Sequence, residues 1–282
     1  MSVQKVAIVT GGNKGIGYAI VKGLCEKFKG TVYLTARDVS RGEAAVAKLK
    51  ELGLNPSFHQ LDTTDQNSID KLKKHISENH GGFDLLVNNA AIAFKNAAPE
   101  PFSEQAKTTI AVNYFATLKV CEALFPLLRA NARVVNLSSS AGHLSRIPSE
   151  QLRQKLNDPN LTVAQLNQLM EKFVEDAKDN KHQEAGWGNS AYVVSKVGVS
   201  ALTKIQQREF DKETPCRNIS VNSVHPGYVD TDMTSHKGPW TIEQGAYAPL
   251  FLALEAENLK GAYVWSNAKV EQWDAEKAPA PY

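Results

Sequence analysis

Tyr192-Val-Val-Ser-Lys196 sets a phenol and an ammonium four positions apart. On a helix, residues so spaced share one face. A free tyrosine ionises at about pH 10. A neighbouring ammonium favours the phenolate, so the pair predicts a lowered pKa and a phenol that can give up its proton near neutrality. Ser139 is the middle residue of Ser138-Ser139-Ser140, which follows Arg133–Leu137, read as a strand. A hydroxyl at such a strand end can hydrogen-bond an oxygen that gains negative charge. The Tyr–Lys spacing also occurs on ordinary solvated helix faces, so its weight comes from its surroundings. No Gly-x-Ser-x-Gly nucleophile turn and no metal-ligand cluster accompanies it, and the seven histidines are scattered. No metal is expected.

A second centre lies near the N-terminus. Thr10-Gly11-Gly12-Asn13-Lys14-Gly15-Ile16-Gly17 follows the apolar run Val6–Val9 and precedes a helical pattern of Ile16, Ala19, Ile20, Leu24 and Phe28. Strand, glycine turn and helix in that order form a phosphate-binding unit. Glycines let the backbone approach a ligand closely, and the helix N-terminus offers N–H groups and a positive dipole end. The spacing Gly11-x3-Gly15-x-Gly17 is not the standard G-x-G-x-x-G, so by itself the turn could be an ordinary corner.

The elements that must carry these residues alternate. Strands are predicted at Thr31–Ala36, Ser57–Leu61, Phe83–Val87, Arg133–Leu137, Ile219–Val224 and Ala262–Trp265, besides the first at Val6–Val9. Helical patterns fall between them, the last two over Ser190–Phe210 and Ile242–Leu254. Such alternation implies right-handed crossovers and a parallel sheet, with ligands beyond the carboxyl ends of the strands. Arg37, Asp62, Asn89 and Ser139 would then line one edge. The fold class is α/β, a Rossmann-type doubly wound parallel sheet of about seven strands with helices on both faces. Residues 1–282 read as a single domain. Residues about 143–187 interrupt the alternation as a helical insertion: Thr162-x-x-Gln165 is a capping box, and Val163, Leu166, Leu169, Met170, Phe173, Val174 and Ala177 form an apolar stripe. The tail, about 274–282, reads as peripheral.

Composition bounds the function. The 282 residues are 42% hydrophobic and 22% charged with a net charge of +2, too small to argue for nucleic acid or a membrane surface. No apolar run of membrane-spanning length and no secretory leader is read from the sequence. Three unpaired cysteines suit a reducing compartment, so a cytosolic setting is expected.

Taken together, Thr10-Gly11-x-x-x-Gly15-x-Gly17, Asn88-Asn89-Ala90, Asn113, Ser139, Tyr192-x-x-x-Lys196 and Pro226-Gly227 resemble the short-chain dehydrogenase/reductase family over nearly the whole chain. The resemblance is strongest with its monomeric, NADPH-dependent, carbonyl-reducing branch. It implies that Tyr192 gives a proton to a carbonyl oxygen, that Lys196 lowers its pKa and holds the nicotinamide ribose, and that Ser139 orients the carbonyl. Asn113 would kink its helix and hold a relay water. Asp62 would hold the adenine and Asn89 would lie near its ribose, while Val229 and Thr231, after Pro226 and Gly227, would hold the carboxamide. Gly11, Gly15 and Gly17 would hold the pyrophosphate, and Asn13, Lys14 and Ile16 of the same turn would belong to the cofactor site. Ala91 stands where the family carries glycine and would have to adopt a glycine-like conformation. The insertion would cover the face by which other members associate, implying a monomer; alternatively it shapes the substrate pocket.

Cofactor choice follows from charge. A carboxylate at the end of the second strand would favour NAD, but Ala36 and Arg37 stand there, with Lys14 and Arg41 near in sequence. These cations suit a 2′-phosphate, hence NADPH; Asp38 would argue for NAD if it faced the ribose. Phe94, Tyr228, Met233 and Trp240 are candidate apolar walls of a substrate pocket. By resemblance, Phe94, Lys95 and Gln105 would form a subsite for glutathione conjugates. The expected activity is reduction of aldehydes, ketones and quinones. The rivals are a reductase dedicated to one steroid, prostaglandin or terpenoid-like ketone, and a catalytically silent NADPH-binding sensor or scaffold.

Overall fold

The computed structural model describes residues 4–95 and 97–280. Its frame is one sheet in the order β3-β2-β1-β4-β5-β6-β7-β8. The strands are β1 Lys5–Val9, β2 Gly30–Ala36, β3 Ser57–Gln60, β4 Phe83–Asn88, β5 Leu128–Leu137, β6 Ser220–Val224, β7 Tyr263–Val264 and β8 Val270–Glu271. The first seven pair in parallel, and β8 pairs antiparallel with β7. The seven expected strands are present. The eighth is too short and polar to show a strand pattern, and it exists because a hairpin folds it back on β7.

The helices are α1 Gly15–Lys27, α2 Val39–Glu51, α3 Gln66–His80, α4 Phe102–Ile110, α5 Ala116–Leu124, α6 Glu150–Leu156, α7 Val163–Lys178, α8 Ala191–Asp211 and α9 Ile242–Leu254. Strands buried on both faces explain the near-continuous apolar runs of β1 and β4. Ile20, Leu24, Leu49 and Leu252, from α1, α2 and α9, pack on one face. Ile69, Leu72, Ile76, Val120 and Leu124, from α3 and α5, pack on the other. The segment Phe102–Leu127 reaches the length and mean hydropathy of a membrane span, which the sequence reading did not register, but 56% of that window is buried inside this fold. Its apolar residues are core.

The insertion is a packed arm. The capping box of α7 forms in both directions, Thr162 accepting from the Gln165 N–H and Gln165 accepting from the Thr162 N–H. Leu166, Met170 and Phe173 are fully buried in a cluster with Ile110 and Tyr114 and with Val194 and Val197 of α8. The Phe173 ring meets Trp187 and Phe102 edge-on at 5.6 and 6.2 Å. Phe173→Ala should therefore destabilise the protein by about 3–5 kcal/mol. A urea titration checks this, and a loss under about 1 kcal/mol would mean that α7 is not part of the core. The tail is fastened rather than loose as far as Ala280, whose carbonyl accepts from Trp265 Nε1 at 2.9 Å. Residues 281 and 282 of the expected peripheral tail lie outside the described residues, as do 1–3 and 96 of the expected domain.

Candidate active site

The carboxyl ends of β1, β2, β4, β5 and β6 deliver most of the candidate residues to one edge. After β1, Gly11 and Gly15 take φ of +63° and +55°, where side chains are strained. A Cβ on Gly17 would stand 2.4 Å from both Asn89 Nδ2 and the Gly11 carbonyl. The first turns of α2, α3, α6, α7, α8 and α9 are capped by Asp38, Asp65, Ser149, Thr162, Ser190 and Thr241. α1, like α4 and α5, has no side-chain cap. Its first turn opens on the glycine turn, and among the described residues no side chain caps it, an arrangement a pyrophosphate can satisfy. Asn13, Lys14 and Ile16 belong to this cradle, and the residues present fit a dinucleotide.

Asn89 does not extend into the site by its amide nitrogen. Nδ2 donates to the carbonyls of Thr10 and Gly11 at 2.9 and 3.0 Å. Thr10 Oγ1 in turn accepts from the N–H groups of Asn89 and Ala90. The β4 end is thus sewn to the glycine turn. Ala91 is not among the residues with positive φ, so the glycine-like conformation expected of it is not adopted and this backbone makes no demand that glycine alone could meet.

At the end of β2, Asp38 is engaged as a helix cap. Its Oδ1 accepts from the Arg41 N–H at 2.9 Å as the cap of α2. Arg37 is exposed, and among the described residues its guanidinium makes no ion pair. Lys14 differs from expectation. Its ammonium is paired with Asp232 Oδ2 at 2.6 Å, on the loop after β6, rather than standing free for a phosphate. Asp62, beyond β3, has Oδ1 engaged by the N–H and hydroxyl of Thr64.

On the first two turns of α8, Tyr192 and Lys196 share a face, and Lys196 Nζ lies 5.7 Å from the Tyr192 ring centroid. Ser139, just beyond β5, lies beside the Tyr192 phenol. Lys196 is buried and donates to the Leu137 carbonyl at 2.7 Å. Burial raises the Tyr192 pKa above its ordinary value, and the neighbouring Ser139 hydroxyl opposes this. The lowering expected from Lys196 is not what sets this pKa: its ammonium is drawn to Leu137, and removal from water outweighs the rest. The phenol is therefore protonated at neutral pH, as a proton donor must be. Burial pulls Lys196 down to about 8. Its charge is present below about pH 8 and lost above it, so kcat/KM, which reports the free enzyme, should fall as pH rises through about 8. Stability should not fall with it. The folded pKa lies below the unfolded value, so the cost of burying the charge is relieved between the two. A pH–rate profile flat to pH 10 would contradict this.

Asn113 sits in a π turn, Ala111–Phe115, between α4 and α5. Its side chain bonds the N–H and C=O of Ile92 at 2.8 and 2.9 Å and Ser195 Oγ at 3.0 Å. It ties the β4 loop to α8, and its carbonyl accepts from Thr117 Oγ1.

The loop after β6 supplies the outer wall. Pro226 and Val229 are buried, and the Trp240 ring lies against Gly227. Thr231 rests over Gly15. Tyr228 and Met233 are large side chains left exposed. Phe94 is half-buried. Lys95 is held by the Asp232 carbonyl and Ser235 Oγ at 3.0 and 2.6 Å, and Gln105 donates to the Glu100 carbonyl. Both polar members of the expected conjugate subsite thus already have partners. The sequence reading missed Thr10 Oγ1 as the seam of the site and Asp232 as the partner of Lys14. The Asp-Thr-Asp stretch at 230–232 was the only local sign of the latter.

This constellation is that of a nicotinamide-dependent oxidoreductase, and the chain belongs to the short-chain dehydrogenase family, whose model matches residues 5–149 and 180–241. The stretch left between holds α6 and α7. Among curated relatives, the chain is 47% identical over 272 residues to "Carbonyl reductase (NADPH) 1" of Homo sapiens, covering 95% of this chain and 98% of that one. It is 48% identical over 255 residues to "Carbonyl reductase (NADPH) 3" of Mus musculus, covering 90% and 92%. Among solved structures, salutaridine reductase from Papaver somniferum is similar with a TM-score of 0.84 at 32% identity, covering 92% of this chain and 99% of that one.

Proposed function

We propose that the protein reduces aldehydes, ketones and quinones with NADPH. The observation that carries this reading is the meeting of Ser139, Tyr192 and Lys196 beside an uncapped glycine cradle; the full-length likeness to NADPH carbonyl reductases supports it. NADPH supplies the hydride when bound. Gly11, Asn13, Gly15, Ile16 and Gly17 hold its pyrophosphate, Arg37, Arg41 and Lys14 its 2′-phosphate, Asp62 and Asn89 its adenosine end, and Pro226, Gly227, Val229 and Thr231 its nicotinamide end. Ser139 donates to the carbonyl oxygen and fixes its direction. Tyr192 gives the proton as that oxygen becomes an alkoxide. Lys196, charged below about pH 8, steadies the phenolate left behind. Asn113 holds α8 in register with the β4 loop. Phe94, Tyr228, Met233 and Trp240 wall the substrate, and Lys95 with Gln105 would receive the carboxylates of a glutathione conjugate once released from their present partners.

The burial of Leu166, Met170 and Phe173 against α4 and α8 supports a monomer, because the arm covers the face a partner would use. Free thiols at Cys25, Cys121 and Cys216 support the cytosol. Following NADPH oxidation by purified protein with a para-quinone and an aromatic aldehyde tests the activity. Saturable NADPH binding with no turnover of either would favour a silent sensor.

A further inference from the structure

The C-terminal hairpin, β7 through Trp273, belongs to none of the motifs above, yet it is bonded to both sides of the catalytic edge. Tyr263 Oη donates to the Ser139 carbonyl at 2.6 Å. Trp273 Nε1 donates to the Gly142 carbonyl at 2.6 Å, and the Trp273 carbonyl accepts from the Leu144 N–H at 3.1 Å. His143 Nε2 meets the Gln272 carbonyl at 3.0 Å. Because a carbonyl only accepts, Nε2 carries the proton, and Nδ1 is left to accept from the Ser145 N–H. Burial lowers the His143 pKa, which keeps that neutral form. Four bonds thus hold residues 139–144.

On its other side the hairpin grips the segment that leads into Pro226-Gly227. The His225 N–H donates to the Val264 carbonyl at 2.8 Å, and the Trp265 ring meets the His225 ring at 4.5 Å. Tyr263, Trp265 and Trp273 are all buried. Lys204 Nζ lies 4.9 Å over the Trp273 ring, and Trp265 Nε1 binds the Ala280 carbonyl. The hairpin is therefore clamped from α8 and from the tail.

We propose that the hairpin 263–273 is a positioning strut that sets the separation between Ser139 and the Pro226-Gly227 turn, with Tyr263 and Trp273 as its anchors on the serine side. The proposal rests on the reading that Ser139 orients the carbonyl and that the 226–231 segment holds the nicotinamide. Hydride transfer is steep in distance and angle, and a misplacement of about 1 Å costs on the order of 10²-fold in rate. Both anchors act through the backbone that carries Ser139, by way of the Ser139 and Gly142 carbonyls.

The test is the pair Tyr263→Phe and Trp273→Phe, singly and together; the first keeps its ring and removes one donor, and the second removes the indole N–H together with part of a buried ring. In the double variant kcat should fall about tenfold while the Kd for NADPH stays within about twofold. The enantiomeric ratio of the alcohol from a prochiral aryl ketone should fall too, since a loosened Ser139 presents both carbonyl faces. A folded double variant with an unchanged enantiomeric ratio overturns the proposal, even if its thermal midpoint drops, because that would be a structural role only. If the double variant does not fold, Tyr263→Phe alone must shift the ratio, and failure to do so overturns the proposal equally. Ser139→Ala runs alongside. Full turnover in Ser139→Ala removes the reading on which the strut depends; low turnover there with unaffected anchor variants removes the strut alone.

Discussion

Tyr192→Phe is expected to lower kcat by about 10²–10⁴-fold, the range for loss of a general acid, with NADPH affinity within about twofold of the parent. The substitution removes one oxygen and leaves the ring, so the packing of α8 and the position of Lys196 are kept. What disappears is the proton that the developing alkoxide needs. Ser139 cannot replace it at neutral pH, because an aliphatic hydroxyl is a far weaker acid than a phenol. The structure sharpens this expectation. The Tyr192 pKa is held up by burial, so the phenol keeps its proton, with the Ser139 hydroxyl beside it. Rapid-mixing measurement of NADPH oxidation, with cofactor binding followed by fluorescence, separates the two effects. A kcat within tenfold of the parent would mean that another group protonates the product.

The second large effect concerns the cofactor's 2′-phosphate. Arg37→Ala should raise the KM for NADPH by about 10–100-fold, the worth of one strong charge-assisted bond, and leave the KM for NADH nearly unchanged. Lys14→Ala should act in the same direction but less. Its ammonium already has a carboxylate partner in Asp232 at 2.6 Å, and a phosphate must compete with that partner, whereas among the described residues Arg37 pairs with no acid. The double variant should bring the two cofactors close to parity. Equal losses for NADH and NADPH would show that the phosphate is read elsewhere. The role of Asp38 bears on the same point. As the cap of α2 its Oδ1 is held by the Arg41 N–H, which occupies one oxygen of the acid that would favour NAD if it faced the ribose.

What was legible in the sequence was what local pattern dictates. Apolar runs broken by glycine turns and amphipathic helices define an alternating α/β chain and a parallel sheet, whereas the strand order is seen only in the folded chain. Glycines at 11, 15 and 17 marked the cradle, Tyr192 and Lys196 marked one helix face, and the Thr162/Gln165 box marked the start of α7. Each of these is set within about one or two helical turns of chain, where spacing alone is enough.

Only the tertiary structure decided the rest, because it depends on which distant groups meet and on how far water is excluded. Lys14 and Asp232 are far apart in the chain and 2.6 Å apart in space. The Tyr192 pKa rises instead of falling because burial is a property of the whole fold. Ala91 escapes strain because its backbone takes an ordinary conformation, which no residue type announces. The strand expected at Ala262–Trp265 folds into a hairpin whose Tyr263 and Trp273 bond the backbone of Ser139 and Gly142, which no local pattern announces. The sequence alone determined the family of folds and the chemistry of the proton donor. The folded chain determined which cations are free, which proton is held and what braces the serine, because those are settled by long-range contact and desolvation rather than by spacing along the chain.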